Sequence, residues 1–547
     1  MYLTQNPVLQ HELLSNLRRP RAFWLLAAYV GLLGAFVLLA WPQSQVLDMA
    51  QPEEAKRLVG LFFLGQYLLA SLMAPSFAAG AITGEKERDS FEMLIASPLK
   101  PGAIVLGKLF AALAHLGVLM VCSLPIVMLC LPLGGVSPYE VGAAYVGMIA
   151  SVGLFGVISL WASSYFGRTS SSLVVSYLMI LPLAMGAVLL WNLLGQNSDL
   201  RLLSATVLAP IFCLGVSAVL WRDACRKLLE PGDLGSGGRD AIDLETEASE
   251  AVGLYIDRES FPDRLFAPPK RNDFLEEGAN PIYDKEMRSE IFSQGTLMLR
   301  LVIQISMVLA IPLMAVCLFV APQWAPWYVA YVLLFNMLVG PVFSAGSVSS
   351  ERERQTLDLL LVTLITPWQM LWGKLLSGLR VSTVLTGFLM WPVALACLMP
   401  VPYWQSPMNI LTLLGYFLIV LLACLTTSLT SLVCSALFRK TTTSLITSYA
   451  LIGVMFLAPA AARFFADTFY SPAAAERVAV LGVASPFSAS AALPLVIKRD
   501  DGGLVSQGQA IGEPMTFFVH LGWALAYNLV LLGVIVWLFR SRWRVSE

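Results

Sequence analysis

The stretch PSFAAGAITGEKERDSFEMLIASPLKPGAIVLGK, residues 75–108, returns as PVFSAGSVSSERERQTLDLLLVTLITPWQMLWGK, residues 341–374, without a gap at an offset of 266. Pro75/Pro341, Phe77/Phe343, Gly80/Gly346, Glu85/Glu351, Glu87/Glu353, Arg88/Arg354, Leu94/Leu360, Pro101/Pro367 and Gly107/Gly373 coincide. Each copy passes from an apolar run, through a burst of charge (EKER or ERER), into a short one-sided pattern. Phe91, Leu94, Ile95 and Leu99 fall at i, i+3, i+4 and i+8, and Leu357, Leu360, Leu361 and Ile365 repeat the spacing. That period predicts amphipathic helices at about 85–99 and 351–365. Pro101 and Pro367 break them, and Gly-Lys opens a long apolar segment. A charged, one-sided helix between two membrane-length segments is expected to lie against the membrane face, available to a soluble partner.

Composition agrees. Hydrophobic residues make up 57% of the chain and charged residues 13%, against roughly 25% charged in ordinary soluble domains. A spanning helix needs about 20 apolar residues. Twelve stretches qualify: 22–41, 58–82, 105–131, 139–166, 172–194 and 202–221, then 297–320, 327–348, 371–399, 409–437, 444–463 and 516–539. The expected fold is an all-α polytopic membrane protein, built as two parallel six-helix repeats because an even count returns each half to the same side. Further matches support the repeat. Asn6-Pro7-Val8 precedes Glu12-Leu13 as Asn280-Pro281-Ile282 precedes Glu286-Met287, each opening a short amphipathic helix. Phe166–Leu173 matches Phe438–Leu445, and Ser176-Tyr177 matches Ser448-Tyr449.

The organisation read from these patterns is a first half at 1–221, an acidic tether at 222–279 and a second half at 280–547. The second half carries a long outer loop near 464–515. Lysine and arginine fix the orientation. They cluster before segment 1, between segments 2 and 3, and after segment 6, and this recurs in the second half. The loops near 132–138, 321–326 and 400–408 carry none. Both termini, the tether and both charged motifs are therefore expected in the cytoplasm, and the chain in the plasma membrane (in a bacterium, the inner membrane).

Several function classes are excluded. No basic face suggests nucleic acid. The eight cysteines form no C-x-x-C pair and read as small buried residues. Gly102 to Lys108 has the G-x-x-x-x-G-K spacing of a phosphate loop, but Leu109 stands at the Ser/Thr position and no strand precedes it. His11, His115 and His520 are too scattered for a metal site. No charged residue is read near the middle of a spanning segment, which counts against ion-coupled transport. No catalytic constellation and no cofactor site is visible. The acid–arginine clusters Glu85, Glu87, Arg88 and Glu351, Glu353, Arg354 remain. Solvation of a loop would explain one of them, but not the same cluster twice at fixed distances from Pro, Gly and Gly-Lys.

G-E-K-E-R-x-S-F-E-x-L-x-x-S-P followed by G-K resembles the cytoplasmic helix of ABC-2 type ABC transporter permeases. The resemblance covers both halves, with Leu364 departing where the first copy has Pro98. It implies that the two halves form one translocation unit, most simply an exporter. It also implies that separate ATP-binding-cassette ATPase subunits, two copies, dock on the helices at 85–99 and 351–365, with the two acid–arginine clusters as coupling residues. The chain is then not itself an enzyme. The rival readings are an ion-gradient-driven secondary transporter and a non-transporting membrane assembly subunit. The transported substrate is left open.

Overall fold

The computed structural model describes residues 7–17, 20–40, 53–88, 90–130, 137–167, 169–194, 198–229, 280–288, 307–320, 324–353, 365–398, 407–469, 480–493, 495–498, 504–507 and 514–543, with isolated positions besides. Two compact units emerge, Met1–Ile242 and Asp243–Glu547. The first contains α1 (Pro7–Leu17), α2 (Pro20–Ala40), α3 (Glu53–Ala78), α4 (Gly80–Glu87), α5 (Phe91–Ile95), α6 (Pro101–Cys130), α7 (Pro138–Tyr165), α8 (Thr169–Leu193), α9 (Ser198–Leu203) and α10 (Ala209–Leu229). The second contains α11 (Pro281–Arg288), α12 (Ala325–Ser344), α13 (Ser349–Glu353), α14 (Pro367–Leu398), α15 (Pro407–Leu437), α16 (Thr441–Phe469), α17 (Pro486–Ala492) and α18 (Pro514–Trp543). Proline opens many of these helices, where its missing N–H is an orphan in any case and its fixed φ already suits the helix.

Among the described residues, ten helices are long and apolar enough to cross a membrane. They fall on ten of the twelve expected segments. Shorter apolar helices at Leu26–Ala35 and Met307–Leu318 fall on the other two. The protein is therefore a polytopic all-α membrane protein, with one small addition: an antiparallel hairpin pairs Leu495–Lys498 with Leu504–Gln507. In the first unit α7 is the central helix, packed by α3, α8 and α10, with α1 lying on α6. In the second, α15 takes that place among α12, α14, α16 and α18, with α11 lying on α14.

The same sequence positions build the core beside the charged motif in both units. Ile82, Val105, Leu109, Val157 and Leu160 cluster in the first. Their equivalents Val348, Leu371, Leu375, Leu429 and Leu432 cluster in the second.

Four expectations need correction. The helix expected at 85–99 is two pieces: α4 ends at Glu87, and α5 covers only Phe91–Ile95. Phe91 is buried, with Leu94 and Leu99 packed beside it, whereas Ile95 is 39% exposed. In the second unit α13 stops at Glu353, and Gln355 takes a left-handed φ of 56°. The amide of Thr356 then reaches back to the carbonyl of Glu351, as that of Ser90 does to Glu85. These six-residue back-bonds close the last helical turn in the manner of a Schellman cap, so the helix ends within the charged run, at Glu87 and Glu353. Leu361 and Leu364 lie outside the described residues.

The second correction concerns the tether. Residues 222–229 continue helix α10, while 230–279 lie outside the described residues. Third, the segment read as a loop at 464–515 is largely built: α16 runs on to Phe469, α17 is buried, and the hairpin follows. Ser485 opens α17 as its cap and donates its hydroxyl to the carbonyl of Phe456. Fourth, Arg380 lies well inside α14, where its Nη1 donates to the Tyr283 hydroxyl at 2.6 Å.

Candidate functional site

Three consecutive side chains of the charged motif reach three different elements. Glu85, in the last turn of α4, faces inward. Its Oε1 accepts from Lys108 Nζ at 3.2 Å, and its other carboxylate oxygen accepts from the Ser90 hydroxyl. Lys108 stands in α6 with a side chain only 2% exposed, and it also pairs with Glu12 of α1 at 2.8 Å. A buried ammonium needs such partners, because burial away from water without them is strongly unfavourable. One lysine thus joins the amphipathic helix, the motif and a spanning helix.

The second unit repeats the arrangement with one variation. Lys374, its side chain fully buried, pairs with Glu286 of α11 at 2.8 Å and donates to the Ser347 carbonyl at 2.5 Å. Glu351 stands 3.8 Å from Lys374 and is met more closely, at 2.7 Å, by Lys285 from α11. The Thr356 hydroxyl donates to the other oxygen of Glu351, as Ser90 does to Glu85. At the position of Lys285 the first unit has His11, in the same register beside Glu12.

The next two motif residues grip a helix-to-helix turn. Lys86 Nζ donates to the carbonyls of Ser164 at 2.7 Å and Phe166 at 3.0 Å, where α7 ends. Arg352 Nη1 donates to the Phe438 carbonyl at the end of α15. Cations are favoured there because the last carbonyls of a helix lack intrahelical partners. Glu87 accepts from the backbone N–H of Thr169, the first residue of α8, at 2.7 Å. Glu353 accepts from the Thr441 hydroxyl at the start of α16 at 2.6 Å. From the other side, the Ser163 hydroxyl oxygen accepts from the N–H groups of Ile82 and Thr83. Ser435 accepts in the same way from Val348 and Ser349.

The site residues therefore separate by role. Glu85 and Glu351 are turned into the protein, their oxygens already occupied by groups of the chain itself. Glu87 and Glu353 are exposed; Glu87 takes the first N–H of α8, and Glu353 takes the Thr441 hydroxyl at the start of α16. Arg88 is exposed, and Arg354 lies outside the described residues. Beyond the clamp the first motif shows Glu92, Met93 (79% exposed) and Ile95 to the surroundings, and the second shows Val362 (86% exposed).

Sequence reasoning missed the lysines and the amphipathic-helix acids. Gly107-Lys108 and Gly373-Lys374 marked only where a segment begins, and Glu12 and Glu286 only extended the repeat. The usable signal was that lysine recurs at an apolar segment's start in both copies. Gly102–Lys108 forms the first turns of α6 and makes no phosphate loop.

No curated protein matches the chain closely enough to count as a relative. A family profile described as ABC-2 family transporter protein matches it over two regions, residues 7–218 and 244–542. These regions take in nearly every helix described above, both charged motifs and both lysine clusters, as two fused halves of a transmembrane transport component that is not itself catalytic. The chain belongs to the ABC-2 family of transporter proteins.

Proposed function

We propose that the chain is a membrane-spanning permease subunit of an ATP-driven exporter in the plasma membrane. Its halves, 1–229 and 280–547, form one translocation unit, and 230–279 tethers them on the cytoplasmic side, where both termini lie. Two separate ATP-binding-cassette subunits supply the energy by docking near residues 85–99 and 351–365. The observation that carries this reading is the repeated clamp. Each motif is fixed rigidly to the turn between two spanning helices, while a small apolar and charged surface beyond it stays uncovered. A rigid lever with an exposed tip suits the transfer of an imposed displacement into a helix bundle.

Exposure and hydrogen bonding support a division of labour among the motif residues. Glu85 and Glu351 act from behind as supports. Arg88, Glu92 and Met93, with Val362 in the second half, form the contact. The test is capture of the tagged full-length chain from its host's membranes, with measurement of bound ATPase and ATP hydrolysis. An ATPase should co-purify, and Met93→Asp with Val362→Asp should release it while the permease still inserts. Capture without an ATPase, with transport that persists on ATP depletion and collapses with the ion gradient, would make the protein a secondary transporter. Capture with other membrane subunits and no transport would make it an assembly component.

A further inference from the structure

We propose that Lys108 and Lys374 are positioning residues of the coupling apparatus. Each fuses its half's opening amphipathic helix to the charged motif, so that helices α1 and α11 move with the lever. The inference rests on the reading that an ATPase acts at this face.

The argument starts from burial. Lys108 is 2% exposed and Lys374 is fully buried, and each stands where the opening amphipathic helix, the charged motif and a spanning helix cross. Glu12 and Glu85 are 73 positions apart and converge on Lys108 Nζ from helices that do not follow one another. Glu286 and Glu351 converge on Lys374 with the same pairing of elements. A solvated charge would not need this. A buried ammonium that loses one carboxylate is left undercompensated in a poorly polarisable environment, so the three elements separate only at high cost. They therefore behave as one body over the small displacements that drive a transport cycle.

Packing points the same way. Helix α1 lies along α6, and α11 along α14. Asn280 fixes the start of α11 by donating to the Gln369 carbonyl at 2.7 Å in α14 and accepting from the Ile282 amide. Gly373, beside Lys374, lets this junction close. A Cβ there would stand 3.0 Å from Asn280, Ile282 and Tyr283. The amphipathic helices are thus seated against the base of the same spanning helix that carries the lysine.

The experiment follows a cysteine placed at the exposed Gln10 of α1 in the full-length chain, captured together with its ATPase. Thiol labelling is compared without nucleotide and with ATP plus vanadate, and the parent without Gln10→Cys supplies the background from native thiols. In the parent frame, trapping the ATPase should change the labelling rate at position 10. Lys108→Arg should keep that change. Lys108→Met should abolish it while the ATPase remains bound and hydrolysing. If Lys108→Met fails to accumulate, Glu12→Ala removes only the tether to α1, leaves Lys108 paired with Glu85, and should also abolish the change. A role in stability alone would alter yield without erasing the nucleotide response. The proposal is overturned if Glu12→Ala and Lys108→Met both retain the parent's response, or if an actively hydrolysing parent complex shows none. Capture of no ATPase at all would remove the functional reading, and this inference with it.

Discussion

The two halves agree at the charged motif and differ along the spanning helices above it. In the second half, Asn336 of α12 is fully buried. Its Nδ2, with two N–H groups to donate, stands within reach of Ser382 Oγ at 3.0 Å, Thr386 Oγ1 at 3.3 Å and Cys424 Sγ at 3.0 Å, and its Oδ1 accepts from Thr427 Oγ1 at 3.2 Å. The first half places Ala70, Leu116, Met120, Val152 and Phe155 at the equivalent positions, all buried. Gly340 and Gly378, which admit the polar side chains, correspond to Ala74 and Ala112. A Cβ at Gly340 would stand 2.7 Å from Thr427 Oγ1, and one at Gly378 would stand 2.5 Å from Ser344 Oγ.

The difference teaches that the scaffold does not fix where its interior polarity sits. At the level of Asn336 the three helices close with apolar groups in the first half, which instead sets its buried amide one turn away, where Gln66 donates to Ser123 at positions that are Val332 and Leu389 in the second. What both halves keep is the clamp: Ser163 and Ser435 on the motif's N–H groups, and Tyr177 and Tyr449 donating to the carbonyls of Leu72 and Leu338. The shared parts lie where the motif meets the bundle, and the divergent parts lie along the bundle.

The comparison can be broken most forcefully at the shared clamp. Lys374→Met leaves Glu286 and Glu351 without their buried partner and should cost about 3–5 kcal/mol, read as a large fall in the melting temperature of the purified chain. If the loss is negligible, the buried pairs are not what holds α11 to α14. Next come the glycines. Gly340→Ala and Gly378→Ala should each cost about 1–3 kcal/mol by overpacking. The reverse changes, Ala74→Gly and Ala112→Gly, should cost only about 1 kcal/mol from helix propensity. Equal effects in the two halves would mean that the close approach in the second is not needed.

A finer probe is Asn336→Leu. Interhelical hydrogen bonds inside membrane proteins average about 0.6 kcal/mol, so losing the two bonds Asn336 can donate and the one it accepts should lower stability by about 2 kcal/mol at most. Ala70→Asn in the first half introduces an amide facing apolar neighbours and should cost about 1–3 kcal/mol. Parallel thermal melts of the two variants would show whether each half tolerates the other's chemistry. The smallest effect is expected at Glu87→Ala and Glu353→Ala. The first removes an exposed cap and should cost on the order of 1 kcal/mol, seen as faster amide exchange confined to the first turn of α8; the second removes only a bond to the Thr441 hydroxyl and should cost less.

By itself the sequence determined the membrane class, the segments and their repetition, and it singled out the two charged motifs. These are properties of adjacent or regularly spaced residues: hydropathy summed over a helix length, and two copies aligned at one offset. Tertiary structure alone decided which way the charges face. The fate of Glu85 depends on Lys108 and Glu12, which lie in separate helices, and no local period encodes that convergence. The same holds for the break between α4 and α5. The 3.6-residue pattern runs through it undisturbed, while Phe91 turns into the core and a six-residue back-bond ends the helix. It holds also for α17, whose Ser- and Ala-rich stretch carries too little hydropathy to stand out. That stretch becomes buried only because α12, α15 and α18 close around it. Hydropathy told which stretches leave water; only the packed chain could tell which side chains then meet.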